Sequence, residues 1–213
     1  MKKNLLLFAA FGILLSGCNI VNTQPRSTDG IGKPAGDNNP AVTSGSTVDL
    51  SGKNMSSLST AIFNQSGVTS FNVSGNRLTG ALPSEMGKWK GLESLDASNN
   101  QMTGIPAEIG QLRNLKVIDY GKNQIDTMPN EIAELANLER LSLAGNLYRE
   151  VPQTLLQLPK LGTLDLSGNR IAKLPENLLG WKNLRVLNLT GNPLASSEIE
   201  RARGALPNTE INF

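Results

Sequence analysis

From residue 46 to 194 apolar side chains fall on a fixed beat. Leu138, Leu141 and Leu143, then Asn146 and Tyr148, are followed by Leu161, Leu164 and Leu166, then Asn169 and Ile171. Leu184, Leu187 and Leu189, then Asn192 and Leu194, repeat the spacing. The Leu-x-Leu alternation in each unit predicts a short strand with one buried face. Beyond the turn, Ile171, Leu174, Leu179 and Trp181 carry the chain back along the opposite side. Polar residues keep the same time. Asn76, Asn100, Asn123, Asn146, Asn169 and Asn192 recur at an interval of 24 and then of 23. A period of that length predicts stacked units, because one unit alone cannot bury its leucines whereas neighbours together make a continuous core.

The shared pattern is L-x-x-L-x-L-x-x-N-x-L, and on it the chain resembles the leucine-rich repeat family. The resemblance implies an α/β-type solenoid: a curved arc of about seven repeats with a parallel concave sheet and short 3-10, helical or extended convex segments. An asparagine at each turn is expected to satisfy backbone groups of adjacent coils through its amide. Pro83, Pro106, Pro129, Pro152 and Pro175 form a second column beside the asparagines. Proline fixes φ and lacks a donor, which suits the start of a convex segment. Leu78 to Pro83 looks like the plant-type subclass of these repeats, and Leu174 to Leu179 like the bacterial form. Trp89 and Trp181 stand in leucine slots, and Phe71, Tyr120 and Tyr148 also keep repeat register, so all five are expected to fill the core.

The ends depart from the pattern. The first unit, with Val48 and Leu50, has Lys53 where asparagine belongs, as expected of a terminal repeat with one wet side. At the other end Ser197 and Glu200 predict a capping box opening a helix from Ser197 to about Arg203, stopped by Gly204. Residues 209 to 213 are expected to form an extended segment shielding the last coil, closing the repeat domain (46–194) with a cap (195–213) and no second domain.

The amino-terminal pattern is of another kind. Lys2 and Lys3 precede an apolar run from Leu5 to Leu15, then Ser16, Gly17 and Cys18. Eleven residues fall short of the roughly 20 that span a bilayer, and the layout is that of a cleavable export signal, 1–17. Leu15 to Cys18 resembles the bacterial lipoprotein processing box, which implies cleavage after Gly17 and lipidation of Cys18. Cys18 is the chain's only cysteine, so an internal disulfide is excluded. Residues 18 to 45, rich in Pro, Gly, Asn, Ser and Thr, read as a disordered tether from the lipid. Asn19 lacks the aspartate that implies inner-membrane retention, which favours the outer membrane by family analogy. Surface and periplasmic faces both remain open.

Composition narrows the chemistry. The chain has no histidine, which removes Cys-His and Ser-His-Asp catalysis and His/Cys zinc sites. No enzyme activity and no cofactor are expected. The formal net charge is +2, and without a basic block nucleic acid is not an expected partner. The binding candidates are the concave-face charges Glu93, Asp96, Lys116, Asp119, Lys122, Glu139, Arg140, Asp165 and Arg185. Asp96 and Asp119 belong to a column with Asp49, Asn72, Ser142, Asp165 and Asn188, expected to point to solvent. There Asp96 and Asp119 come near enough to share a calcium ion, against the alternative that the column is a habit of the repeat. Seven strands make a face on the order of 500 Å², which suits a peptide, a glycan or a modest protein contact.

The expectation is a monomeric, lipid-anchored envelope protein whose solenoid binds a protein or glycan. The alternative is a self-associating or cell-wall-associated structural protein.

Overall fold

The computed structural model describes residues 45–213; the export signal, Cys18 and nearly all of the tether lie outside them. Strands β1 (Ser46–Asp49), β2 (Val68–Asn72), β3 (Thr79–Gly80), β4 (Ser94–Asp96) and β5 (Gln101–Met102) alternate with convex segments. β6 (Val117–Asp119), β7 (Arg140–Ser142), β8 (Thr163–Asp165), β9 (Val186–Asn188) and β10 (Glu210–Asn212) continue the series. Eight of them form one parallel sheet in the order β1-β2-β4-β6-β7-β8-β9-β10, and β3 pairs with β5 in a small second ladder. The fold is a leucine-rich repeat solenoid.

Register follows the repeat. Leu95, Ile118, Leu141, Leu164 and Leu187 face one another along the inner side of the sheet and are fully buried. Each convex side is a single 3-10 turn. Pro83, Pro106, Pro129 and Pro152 stand immediately before the turns Ser84–Lys88, Ala107–Gln111, Asn130–Glu134 and Gln153–Gln157, with φ between −56 and −70. Proline is pre-set for that φ and loses no hydrogen bond at a helix start. The coil after Pro175 differs: its turn, Leu178–Gly180, is opened by Asn177, whose side chain accepts from the Leu179 N–H.

The six asparagines are placed inside the turns. Each Oδ1 accepts a backbone N–H of the coil before it, as Asn146 does from Ile125 at 3.0 Å. Each Nδ2 donates to a carbonyl of its own turn and to one of the preceding coil. The carbonyls of Val73, Ala97, Tyr120, Leu143 and Leu166 therefore each receive two asparagines, one from their own turn and one from the next coil. The ladder runs unbroken through six coils, and it satisfies groups that a buried turn would otherwise leave unpaired.

Both ends of the solenoid are closed by side chains. At the first coils Phe63, Phe71 and Trp89 form a three-ring cluster with centroids 4.7 to 6.0 Å apart. The Trp89 indole N–H donates to the Gln65 carbonyl at 2.9 Å. At the far end the helix α1 spans Ser196–Ala205, starting one residue before the expected Ser197 and running past Gly204. The capping box does not form: Ala195 is the N-cap and no side chain caps the helix. The acidic residue that matters is Glu198, in the first turn of the helix. It accepts the Leu174 N–H at 2.7 Å and an Arg201 N–H at 2.6 Å, while Arg201 also donates to the Leu174 and Pro175 carbonyls. Arg201 and the Leu174 N–H hold the Glu198 carboxyl below its usual pKa. α1 thus supplies the partners that a further coil would have given the last convex segment. Residues 210–212 do more than shield: they join the sheet as its eighth strand, with the Leu189 N–H donating to the Asn212 carbonyl at 2.7 Å. The expected seven strands are therefore eight.

Candidate functional site

The exposed side of the sheet is built in columns one coil apart. Glu93, Lys116, Glu139, Gly162 and Arg185 form the column just before the strands, and Ser94, Val117, Arg140, Thr163 and Val186 open the strands themselves. Glu93, Lys116, Glu139, Arg140 and Arg185 are exposed. Lys116 pairs with Glu93 at 2.8 Å across adjacent coils, a half-exposed pair of small energetic consequence. The Glu93 hydrogen bond and the Glu139 field both raise the Lys116 pKa. These five residues hold no turn together, so their chemistry is free for a ligand.

The other four candidates have structural duties. Asp96 and Asp165 are half-buried, and their Oδ1 atoms accept the N–H two residues on, from Ser98 at 3.0 Å and Ser167 at 2.9 Å. Asp49, Asn72 and Asn188 do the same for Ser51, Ser74 and Thr190. Every member of the column except Ser142 closes a turn with its side chain, and the expectation that the column points freely to solvent is corrected. Asp119 departs most. It and Ser142 are buried, at 7% and 3% exposure, and Asp119 accepts both the Gly121 N–H at 2.7 Å and a hydrogen bond from the Ser142 side chain. A Cβ on residue 121 would stand 2.9 Å from that carboxylate oxygen and 3.2 Å from the Ser142 hydroxyl, so glycine leaves room for the two to sit together. Lys122 has an exposed side chain, but its backbone occupies the left-handed region at φ 55. Gly52, Gly75, Gly145, Gly168 and Gly191 fill the same slot in other coils, at φ 63 to 76. The carboxylates that looked able to share calcium are thus each committed to a backbone donor. Among the described residues no three Asp, Glu, His or Cys side chains converge as a metal cage.

Burial pushes the Asp119 carboxyl up to about 6, the neighbouring Asp96 and Asp165 charges adding to it against the hydrogen bonds from Gly121 and Ser142. A folded-state pKa above the ordinary 3.8 means that the unfolded chain releases its proton first. Stability from this group is present below pH ~4 and is lost as pH rises through about 6. Asp119→Asn keeps the acceptor for Gly121, as Asn72 and Asn188 keep theirs. It is expected to raise stability at pH 7.5 by on the order of 2 kcal/mol and to leave it unchanged at low pH. Urea melts at both pH values check this; an equal shift at the two would contradict a charge origin.

One structural signal lay unread in the sequence. Asn114, Asn137 and Asn183 form a second asparagine column on the descending side, each Nδ2 donating to a carbonyl 24 residues earlier, of Lys90, Arg113 and Pro159. Their spacing of 23 between Asn114 and Asn137 was available to find them.

Three leucine-rich repeat family models match the chain over residues 90–148, 159–201 and 67–89. No curated protein matches it. Among solved structures, a leucine-rich repeat protein of Leptospira interrogans is 33% identical, with a TM-score of 0.67, over 78% of this chain and 48% of its own. Internalin C2 of Listeria monocytogenes is 26% identical with a TM-score of 0.62, over 74% of this chain and 66% of its own. The Arabidopsis receptor kinase HAESA, solved with the peptide hormone IDA and the co-receptor SERK1, is 35% identical with a TM-score of 0.57, over 65% of this chain and 24% of its own. The chain therefore spans about half the length of the Leptospira protein and a quarter of the plant receptor.

Proposed function

This chain belongs to the leucine-rich repeat family, and from that premise we propose that it is a lipid-anchored binding protein of a bacterial envelope, without catalysis of its own, whose concave face captures a protein or glycan. One observation carries the reading: Glu93, Lys116, Glu139, Arg140 and Arg185 are exposed together on the sheet and close no turn. Side chains ordered by folding but unneeded by the fold are where recognition is placed at least structural cost. The family's usual role as a binding scaffold supports the same reading, as does the HAESA domain, solved with a peptide hormone. Anchoring rests on Lys2, Lys3, the run Leu5–Leu15 and the Leu15-Ser16-Gly17-Cys18 box. Among the described residues no helix is long and apolar enough to cross a membrane. Lipid on Cys18, with acyl chains adding about 0.8 kcal/mol per buried methylene, would hold the solenoid at the membrane. The outer membrane is the proposed site.

The test compares the full-length protein with a variant carrying Glu93→Gln, Lys116→Gln, Glu139→Gln, Arg140→Gln and Arg185→Gln as bait for envelope fractions of its own cells. All five are exposed, so the melting temperature is expected to hold within about 2 °C. Capture of the ligand retained by the unaltered protein is expected to fall at least tenfold. Equal capture by the two proteins would move recognition off this face. Cosedimentation with peptidoglycan, unaffected by the substitutions, would favour the cell-wall-associated structural role instead.

A further inference from the structure

The concave face is not electrically uniform. Where the chain enters β7, β8 and β9, a groove of about 690 Å³ carries four cations, Arg140, Lys160, Lys182 and Arg185, against the one carboxylate of Glu139. A chain of formal net charge +2 thus concentrates a local excess of three positive charges. Glu139 is itself shared, since its field already acts on Lys116. Nearer the first coils two cations are ion-paired, Lys116 with Glu93 and Arg113 with Glu134. In the groove no cation is ion-paired among the described residues; Lys160 donates to the neutral Oδ1 of Asn137 at 2.7 Å.

The groove has a definite origin in the repeat. Gly162 occupies the column position that is Glu93, Lys116, Glu139 and Arg185 in the other coils. A Cβ there would meet nothing closer than 3.7 Å, so packing does not demand glycine. What the glycine does is put no side chain between the Arg140 and Arg185 coils, in a groove that Thr163 and Asn183 line together with the four cations. The two arginine coils are two strand spacings apart, about 10 Å. Side chains on one face of an extended peptide repeat every ~7 Å, so alternate carboxylates, with the reach of the arginines, meet both walls. The guanidinium fork matches a carboxylate in two hydrogen bonds.

We propose that this groove binds an acidic peptide segment, an extended stretch with Asp or Glu at alternate positions whose carboxylates pair with Arg140 and Arg185 while Lys160 and Lys182 flank them. The proposal rests on the binding function put forward above and names the ligand chemistry of one part of that face.

The probe is a fluorescein-labelled eight-residue peptide alternating Glu and Ser, titrated with the full-length protein and read by anisotropy. Saturable binding is expected at low salt, weakening several-fold when salt is raised tenfold to about 0.2 M. Arg140→Gln with Arg185→Gln is expected to weaken it at least tenfold, and Lys160→Gln with Lys182→Gln, away from the arginine columns, several-fold. Lys53→Gln with Arg77→Gln removes the same charge from the first two coils and is expected to change binding less than twofold. Absence of binding at low salt overturns the proposal, as does equal weakening by the control pair, which would mean bulk attraction. Tighter binding of a sulfated oligosaccharide than of the peptide overturns it in favour of an anionic glycan. If envelope capture by the concave face persists while the peptide fails, only the acidic-peptide assignment falls; if the peptide binds and capture is indifferent to the five-residue variant, the broader reading falls.

Discussion

Asn146→Leu is expected to cost the fold about 3–5 kcal/mol, a large part of the roughly 5–15 kcal/mol that holds a domain together. Leucine has the same branched skeleton of four heavy atoms but no donor or acceptor, so the loss counted here is polar. The Ile125 N–H, buried and given only to Asn146 Oδ1 at 3.0 Å, is left without a partner, at about 1–3 kcal/mol. The Tyr120 and Leu143 carbonyls lose bonds of 2.9 and 3.0 Å, but each keeps a second asparagine, Asn123 on one and Asn169 on the other. They are thus weakened and not orphaned, at about 1 kcal/mol apiece. Asn192, half-buried at the end of the ladder, makes the same bonds with water nearby. Asn192→Leu is expected to cost about half as much, since water can replace what leucine removes. Urea denaturation reads both as a fall in midpoint at constant slope. Equal effects at the two positions would mean that burial is not what gives the ladder its worth.

Trp89→Ala is expected to cost about 3–5 kcal/mol and to do so unevenly along the molecule. The indole fills the space between Phe63 and Phe71, at centroid distances of 4.7 and 5.0 Å, and ties down the Gln65 carbonyl. In a solenoid each coil contacts only its neighbours, so a lesion at one end frays that end first. Backbone amides of β1 and β2 are expected to lose hydrogen-exchange protection while those of β8 and β9 keep theirs. Trp89→Phe keeps most of the ring burial and drops the N–H, and is expected to cost about 1–2 kcal/mol. Uniform loss of protection in Trp89→Ala would show that the ring cluster is not the closure of the first coils.

Much of the architecture was readable before any coordinate. Leu95, Ile118, Leu141, Leu164 and Leu187 declare the sheet by their spacing, and the prolines at 83, 106, 129 and 152 declare the convex turns. Those signals are legible because one local rule is repeated and each repetition checks the others. The candidate site was less legible. Asp96, Asp119 and Asp165 carry charge in register with the strands, and register alone does not say whether a carboxylate meets water or its own backbone. All three turn to the N–H two residues on, and Asp119 alone is also buried against Ser142 of the next coil. The helix α1 shows the same division: Ser197 and Glu200 match a capping pattern, yet the end of a stack needs its exposed N–H and carbonyls filled, and Glu198 with Arg201 lie where those groups are.

Period, apolar spacing and turn residues determined, from the sequence by itself, that this chain stacks into a leucine-rich repeat solenoid, because each follows from contacts between a residue and its equivalent one coil away. Only the tertiary structure decided which polar side chains are spent on holding the turns and which are left to face a ligand, that the chain's last residues add an eighth strand, and that a glycine at position 162 opens a basic groove in the sheet. Those outcomes depend on how coils close over particular side chains, and burial is a property of three-dimensional neighbours that no position in a repeat carries on its own.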